Sequence, residues 1–375
     1  MPHFLLYAAN LHVGGAVQVA TSVIDELSAS LQDAGGISLL VSSEVDKNLK
    51  GIGVPLQRFR SYRVEDHHGL RAITADLSRD LYDVQAMLVV FGPLYRLRTR
   101  IPCIVGFAQP WIIYPDNEIA SAMPRVARWR ARLKFAVQSL FFRKADLLVV
   151  ELEHVRKRLD TLGIAAKSRV SVVRNCLSAI YGDPTRWQQA PQLVPAGGFR
   201  LGFVGRDYAH KNTRIFPEVR AILKREFGLD VSIHVTFSDE EWAACPPAFR
   251  AAVVNAGSLT VAQCPGFYQQ LDGVIFPSLL ECFSATPLEA MAMRRPLFAS
   301  DRPFNRDVCG DHAFYFDPLD PYSVAAAIST SICAPAATEE KVKAAYRHLM
   351  EMPGPQMRAR QYLECLRSVV AARNV

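Results

Sequence analysis

Short apolar runs alternate with longer amphipathic stretches along most of the chain. In the first half, Phe4–Ala8, Ser38–Ser42, Met87–Phe91, Cys103–Phe107, Leu147–Val150 and Val170–Val173 have the length and near-continuous hydrophobicity of buried strands. The segments between them, Ala16–Leu31 among them, read as helices. This alternation predicts parallel βα units, with helices covering both faces of a sheet. The pattern breaks between Val173 and Gly198, where Gly182-Asp-Pro184, Pro191, Pro195 and Gly197-Gly198 crowd together without periodicity. A second series then runs through Arg200–Val204, Val231–Thr236, Val274–Phe276, Leu297–Ser300 and Phe314–Phe316, with Arg214–Glu226 and Pro287–Met293 as intervening helices. From Gln356 to Ala372 the tail reads as one more helix, carrying Tyr362, Leu366, Val369 and Val370 on a common face. The expected organisation is two doubly wound α/β domains, at 1–175 and 199–352, joined by a linker at 176–198 and followed by a terminal helix within 353–375.

A length of 375 residues with 50% hydrophobic content fits two cores better than one. Lys and Arg exceed Asp and Glu by 43 to 36, and the net charge of +7 favours polyanionic partners without choosing among nucleoside diphosphates, anionic lipid and nucleic acid. The eight cysteines (103, 176, 245, 264, 282, 309, 333 and 365) contain no C-x-x-C pair, so neither a zinc site nor a disulfide framework is predicted. A reducing cytosol is the expected setting. Residues 1–10 lack a charged leader region and enter a strand directly, and no run approaches the roughly 18 apolar residues of a membrane span. Neither secretion nor integral insertion is expected.

Candidate chemistry concentrates where strands end. After Gly273-Val-Ile-Phe276 a short loop leads to Thr286 as N-cap, Pro287 at the first helical position and Glu289 three residues beyond Thr286. Backbone amides of Phe283, Ser284, Ala285 and Thr286 at such a start attract anions or polyhydroxylated ligands, and Glu281 and Glu289 flank the opening. Thr-x-x-Glu is equally a capping box, in which Glu289 only satisfies the N-cap amide. The stretch from Leu201 to Asn212 supplies a strand, a glycine turn at Gly205 and two cations, Arg206 and Lys211, before a helix. Following the first strand, Asn10-Leu-His12-Val-Gly14-Gly15 opens a helix, and its glycines either let amides approach a ligand or simply make a tight turn. No Asp-x-Asp triplet occurs in a strand-terminal loop, so no metal cofactor is expected.

Taken together, Pro277-Ser, Glu281, Phe283, Pro287-Leu-Glu289-Ala-Met-Ala and Arg295-Pro-Leu-Phe-Ala-Ser-Asp301 resemble the donor-sugar motif of retaining glycosyltransferases of the GT-B fold, family 4. The resemblance spans nearly the whole chain and is strongest from Phe199 to Asp320. It implies two Rossmann-like domains facing a cleft, with the last helix returning to the N-terminal domain. Glu281 is then implied to approach the transferred sugar and Glu289 the nucleotide ribose, while Arg206 and Lys211 match the diphosphate clamp and Gly14 and Gly15 the glycine loop. Many members carry a histidine near the reacting sugar where this chain has Gln109, which hydrogen-bonds but exchanges no proton at neutral pH. His12 is a further candidate near the sugar. The usual E-G-F-G is here Glu281-Cys-Phe-Ser284, and Arg295 replaces the glycine before Pro296, so donor identity is not inherited.

Arg125 through Lys144 holds seven cations and no acid. At 100° per residue Val126, Trp129, Leu133, Val137 and Leu140 share a stripe fringed by arginines, with Phe135 and Phe142 on the opposite side. An anionic membrane surface is the expected partner, against a fully packed helix or nucleic acid, for which no module motif is present. The expected function is transfer of a hexose or deoxyhexose from a nucleotide-sugar donor to a glycan or lipid-linked acceptor, by a cytoplasmic protein peripheral to the membrane. Rival readings are a silent sugar-nucleotide-binding scaffold and a GT-B epimerase or phosphorylase; a dinucleotide oxidoreductase is weakened by the missing G-x-G-x-x-G.

Overall fold

The computed structural model describes residues 2–30, 34–69, 71–96, 99–193 and 198–373. Leu31 of the first expected helix, residues 194–197 of the expected linker and 374–375 of the terminal segment lie outside the described residues. Two compact units divide the chain: the first comprises Met1–Asp116, Met123–Asn175 and Pro353–Val375, the second Asn117–Ala122 and Cys176–Met352.

Seven strands of the first unit, among the described residues, are β1 (Phe4–Ala8), β2 (Ile37–Val41), β3 (Ser61–Val64), β4 (Ala86–Val89), β5 (Cys103–Gly106), β6 (Leu147–Val150) and β7 (Val170–Val172). They form one parallel sheet in the order β3-β2-β1-β4-β5-β6-β7. The second unit has β8 (Phe199–Phe203), β9 (Val231–Val235), β10 (Val254–Asn255), β11 (Gly273–Phe276), β12 (Leu297–Ser300) and β13 (Phe314–Phe316). These too are parallel, in the order β10-β9-β8-β11-β12-β13. Every residue of β1, β2, β4, β9 and β11 is buried, because helices cover both faces, and that is why these strands read as unbroken apolar runs.

In both sheets the strand order reverses once. In the first, order reverses between β1 and β4; in the second, between β8 and β11. Loops leaving the carboxyl ends of the strands diverge at such a point, and the gap they leave is where open α/β sheets hold ligands. The Asn10 Nδ2 donates to the Phe91 carbonyl at 2.8 Å, fastening the loops after β1 and β4 together.

The terminal helix, Pro355–Arg373, belongs to the first unit and buries Ala359, Tyr362, Leu363 and Leu366 in the core built on β1, β2 and β4. Arg358 on the same helix is 2% exposed and bonds to Glu26 of the Gly15–Ser30 helix. The segment from Cys176 to Gln270 shows why the turn-rich region is no free tether: Trp187 Nε1 donates to the Ile180 carbonyl at 2.7 Å, and Gln270 receives the Leu193 amide at 2.9 Å. The turns fold onto the second unit.

Candidate active site

The loops after β8 and β11 flank the reversal point of the second sheet, and their side chains meet there. Lys211 Nζ lies 2.6 Å from Glu281 Oε1, with the two side chains only 15% and 11% exposed. The ammonium also stands over the Phe276 ring, 5.2 Å from its centre, so the end of β11 supplies both an ionic and a quadrupolar partner. His210 approaches the same carboxylate oxygen at 3.8 Å and stacks on Tyr208; burial lowers its pKa, with Glu281 acting in the opposite sense. The Leu279 amide donates to the His210 carbonyl at 2.8 Å, which ties one loop's backbone to the other's. Neighbouring Asn212 is left-handed at φ 56° and donates to the Pro318 carbonyl at 2.7 Å, fixing the turn that presents Lys211.

Arg206 is directed elsewhere. Its Nε lies 2.8 Å from Glu241 Oε1, and the side chain is 52% exposed. Glu241 is itself fixed at the start of the Asp239–Ala244 helix by a capping box with Ser238, and its carboxylate also accepts the Asp207 amide. The two cations expected as a clamp thus have different anchors, Glu281 for Lys211 and Glu241 for Arg206. Gly205 keeps its amide 3.0 Å from Thr236 Oγ1, at a φ of 153°.

No capping box forms at Thr286, contrary to the sequence pattern. The N-cap of the Thr286–Ala292 helix is Ala285, without a side-chain cap bond, and Thr286 lies inside the helix. Glu289 turns away from the helix start and accepts the Tyr268 hydroxyl at 2.7 Å. Tyr181, from the turn-rich segment, also lies close enough to this carboxylate to feel its charge. Although Glu289 as a residue keeps some surface, its carboxyl is enclosed, and burial pushes its pKa up while the Tyr268 hydroxyl opposes this. Phe283 and Ser284 are half-buried and Ala285 is exposed, so this stretch borders solvent.

Sequence reading missed His210, Tyr181, Tyr268 and Glu241. His210 alone had a local signal, its place beside Lys211; the others come from remote segments. Removing the Tyr268 hydroxyl by Tyr268→Phe takes a charge-assisted bond from Glu289, at a cost of about 1.5–3 kcal/mol. Because the folded pKa of Glu289 lies above its unfolded value, the stability it contributes is full below the unfolded carboxylate range and lost as pH rises through the folded pKa. Tyr268→Phe raises the folded pKa further and extends that loss to higher pH, which urea unfolding across a pH series measures.

The remaining expected residues belong to the first unit. Gly14 is at φ 69° with nothing within 4 Å of where a Cβ would stand, so backbone conformation rather than crowding calls for glycine; Gly15 opens the Gly15–Ser30 helix. His12 Nδ1 lies 3.4 Å from Asp66 Oδ1, and its ring meets His68 edge-on at 5.0 Å. Asp66, with Glu65, His67 and Arg71, lines a cavity of about 540 Å³. Gln109 stands at the N-cap position of the Pro110–Ile113 turn beyond β5, without a side-chain cap bond. Among the described residues no group of three or more His, Cys, Asp or Glu is arranged to hold a metal ion.

Residues 198–333, which carry Arg206, Lys211, Glu281 and Glu289, match the family of glycosyl transferases group 1. The chain is accordingly an enzyme of the glycosyltransferase class. Its fold is GT-B, shared with HepE from Anabaena in complex with UDP-glucose (15% identity, 98% of this chain and 100% of that one, TM-score 0.73). A glycosyltransferase from Rickettsia africae aligns at 14% identity over 98% and 99% of the two chains with a TM-score of 0.70. Sucrose-phosphate synthase from Thermosynechococcus elongatus does so at 13% over 99% and 100%, with a TM-score of 0.69. No curated protein sequence matches.

Proposed function

We propose that the chain moves a hexose or deoxyhexose, such as mannose or rhamnose, from a nucleoside-diphosphate sugar to a glycan or lipid-linked acceptor, with retention of configuration. In this reading it is a family 4 enzyme of cell-surface polysaccharide synthesis, such as that of O-antigen or lipopolysaccharide, and meets its acceptor at the inner face of the cytoplasmic membrane. The observation that carries the proposal is the Lys211–Glu281 contact, made at the point where the second sheet reverses. A diphosphate leaving group gathers negative charge as the sugar departs, and a preorganised ammonium stabilises that charge without reorganisation.

Lys211 receives the charge and Glu281 orients the sugar; Arg206 adds a second cation once its guanidinium leaves Glu241. For Glu289 to take the ribose hydroxyls, as the family resemblance implies, its enclosed carboxylate has to open from Tyr268. The bond from the sugar's anomeric carbon to phosphate oxygen breaks, the acceptor oxygen bonds that carbon on the same face, and the acceptor proton passes to the departing phosphate. No side-chain base is needed, which suits Gln109. The polar cavity beside His12 supports acceptor binding by the first unit. HepE holds UDP-glucose, and a variant of S. aureus TarM holds UDP with alpha-GlcNAc-glycerol, which favours a nucleotide-sugar donor here.

Thermal unfolding in the presence of a series of nucleoside diphosphates and their sugars, with a chelator, provides the test. One nucleotide at a hundred times its Kd should stabilise the chain by about 2.7 kcal/mol, with the chelator making no difference. Loss of the shift on chelation would overturn the metal-free reading, and no shift from any nucleotide the donor reading. Product analysis with a glycan acceptor separates transfer from epimerisation or silent binding.

A further inference from the structure

The Arg125–Phe142 helix is held to the first unit by one face only. Phe142 is fully buried and meets Phe107 edge-to-face at 4.7 Å; Phe135 stacks on Trp111 at 5.6 Å; and Gln138 Nε2 donates to the Tyr95 hydroxyl at 2.9 Å. Half a helical turn away, Val126 is 65% exposed, Trp129 65%, Leu133 51%, Val137 42% and Leu140 57%. Five large apolar side chains therefore form an open stripe along a helix about 27 Å long. Arg125 and Arg132 border it on one side and Arg130 and Lys134 on the other, all four exposed. Arg132 reaches Asp116 at 2.8 Å, a pair more than half open to solvent that salt and competing anions readily replace.

We propose that this stripe docks the protein on an anionic lipid bilayer, with the helix lying in the plane of the surface. An apolar ridge flanked on both sides by cations matches the boundary between acyl chains and anionic headgroups: the ridge enters the acyl region and the basic side chains extend outward to phosphate. No helix among the described residues is long and apolar enough to cross a membrane, so the contact is peripheral. A second copy of the chain fits the stripe poorly. Two-fold pairing would bring like charges face to face across the ridge. Nucleic acid would engage the cations and leave the aliphatic positions unused. The docking does not depend on which sugar is transferred, and its test reads lipid binding rather than turnover.

The full chain is centrifuged with vesicles of phosphatidylcholine containing phosphatidylglycerol, and with phosphatidylcholine vesicles alone. Binding should favour the anionic vesicles. The triple variant Arg130→Gln, Arg132→Gln, Lys134→Gln should weaken it about a hundredfold, each basic residue near such a surface being worth a factor of about five. Trp129→Ser with Leu133→Ser should abolish binding while leaving the melting temperature unchanged, since both side chains already face solvent. Failure of the chain to sediment with anionic vesicles overturns the proposal. So does binding that survives the Trp129/Leu133 change, as attachment to a nucleic-acid-like polyanion site would. Concentration-dependent dimers that this change dissolves, without lipid binding, would assign the stripe to a second copy.

Discussion

Lys211→Ala should lower kcat by roughly 10²- to 10³-fold, the loss seen when one preorganised donor to a developing anion is removed, while leaving the donor's KM comparatively unchanged. Three features concentrate the effect on this residue. The ammonium is largely shielded from water, so its field on a departing diphosphate is little screened. Glu281 and the Phe276 ring fix its position before substrate arrives. Of its three N–H donors Glu281 engages one in the resting chain, and the carboxylate keeps the buried pair neutral until negative charge develops nearby. Lys211→Arg should not restore the rate, because the larger planar guanidinium pairs bidentately with Glu281 and its fixed fork of donors cannot reproduce the compact ammonium's placement. Truncation also leaves Glu281 buried without its cation, so the folded fraction is measured alongside release of nucleoside diphosphate. A fully folded Lys211→Ala protein with near-normal turnover would remove Lys211 from the chemistry.

How much of this could be read from the chain follows from how local each interaction is. Strands buried on both faces, such as Phe4–Ala8 and Gly273–Phe276, announce themselves as apolar runs. The two strands that sequence reading missed, Ser61–Val64 and Val254–Asn255, are sheet edges whose residues are half-buried or exposed, and nothing in their composition separates them from loop. Lys211 and Glu281 were each legible from a glycine turn or a strand-to-helix transition. Their bond was not, because it depends on β8 and β11 being neighbours across 70 residues. Glu289 shows the opposite failure. Thr-x-x-Glu satisfies the local rule for a capping box, yet Tyr268 offers the carboxylate a hydroxyl inside the fold and wins it from the helix start. Arg206 likewise goes to Glu241, 35 residues away, in a capping box of its own. Local chemistry names the participants; non-local strand order decides who meets whom.

The same logic makes Arg358 the residue on which the terminal helix depends. Its guanidinium is almost wholly buried, with Nε 2.9 Å from Glu26 Oε2, Nη2 donating to the other oxygen of that carboxylate, and a further bond to Ser22 Oγ at 2.6 Å. It also donates to Asn175, the last residue of the first unit before the chain passes to the second. Arg358→Ala leaves Glu26 buried without its partner, a change that typically costs about 3–5 kcal/mol, and should lower the urea midpoint of the first unit accordingly. Acidity tests the cause. Burial already raises the Glu26 pKa, against the pull of Arg358, and losing the guanidinium raises it further. A folded pKa above the unfolded one makes the contribution to stability full below the unfolded carboxylate range and lost as pH climbs through the folded value. The deficit of Arg358→Ala should therefore shrink toward acid pH and widen toward neutral. Replacing both partners with apolar residues, Glu26→Leu with Arg358→Met, should recover much of the loss, since no buried charge is then left alone. A deficit that stays constant with pH and survives the double replacement would mean that Arg358 acts through packing and its bond to Asn175, not by neutralising Glu26.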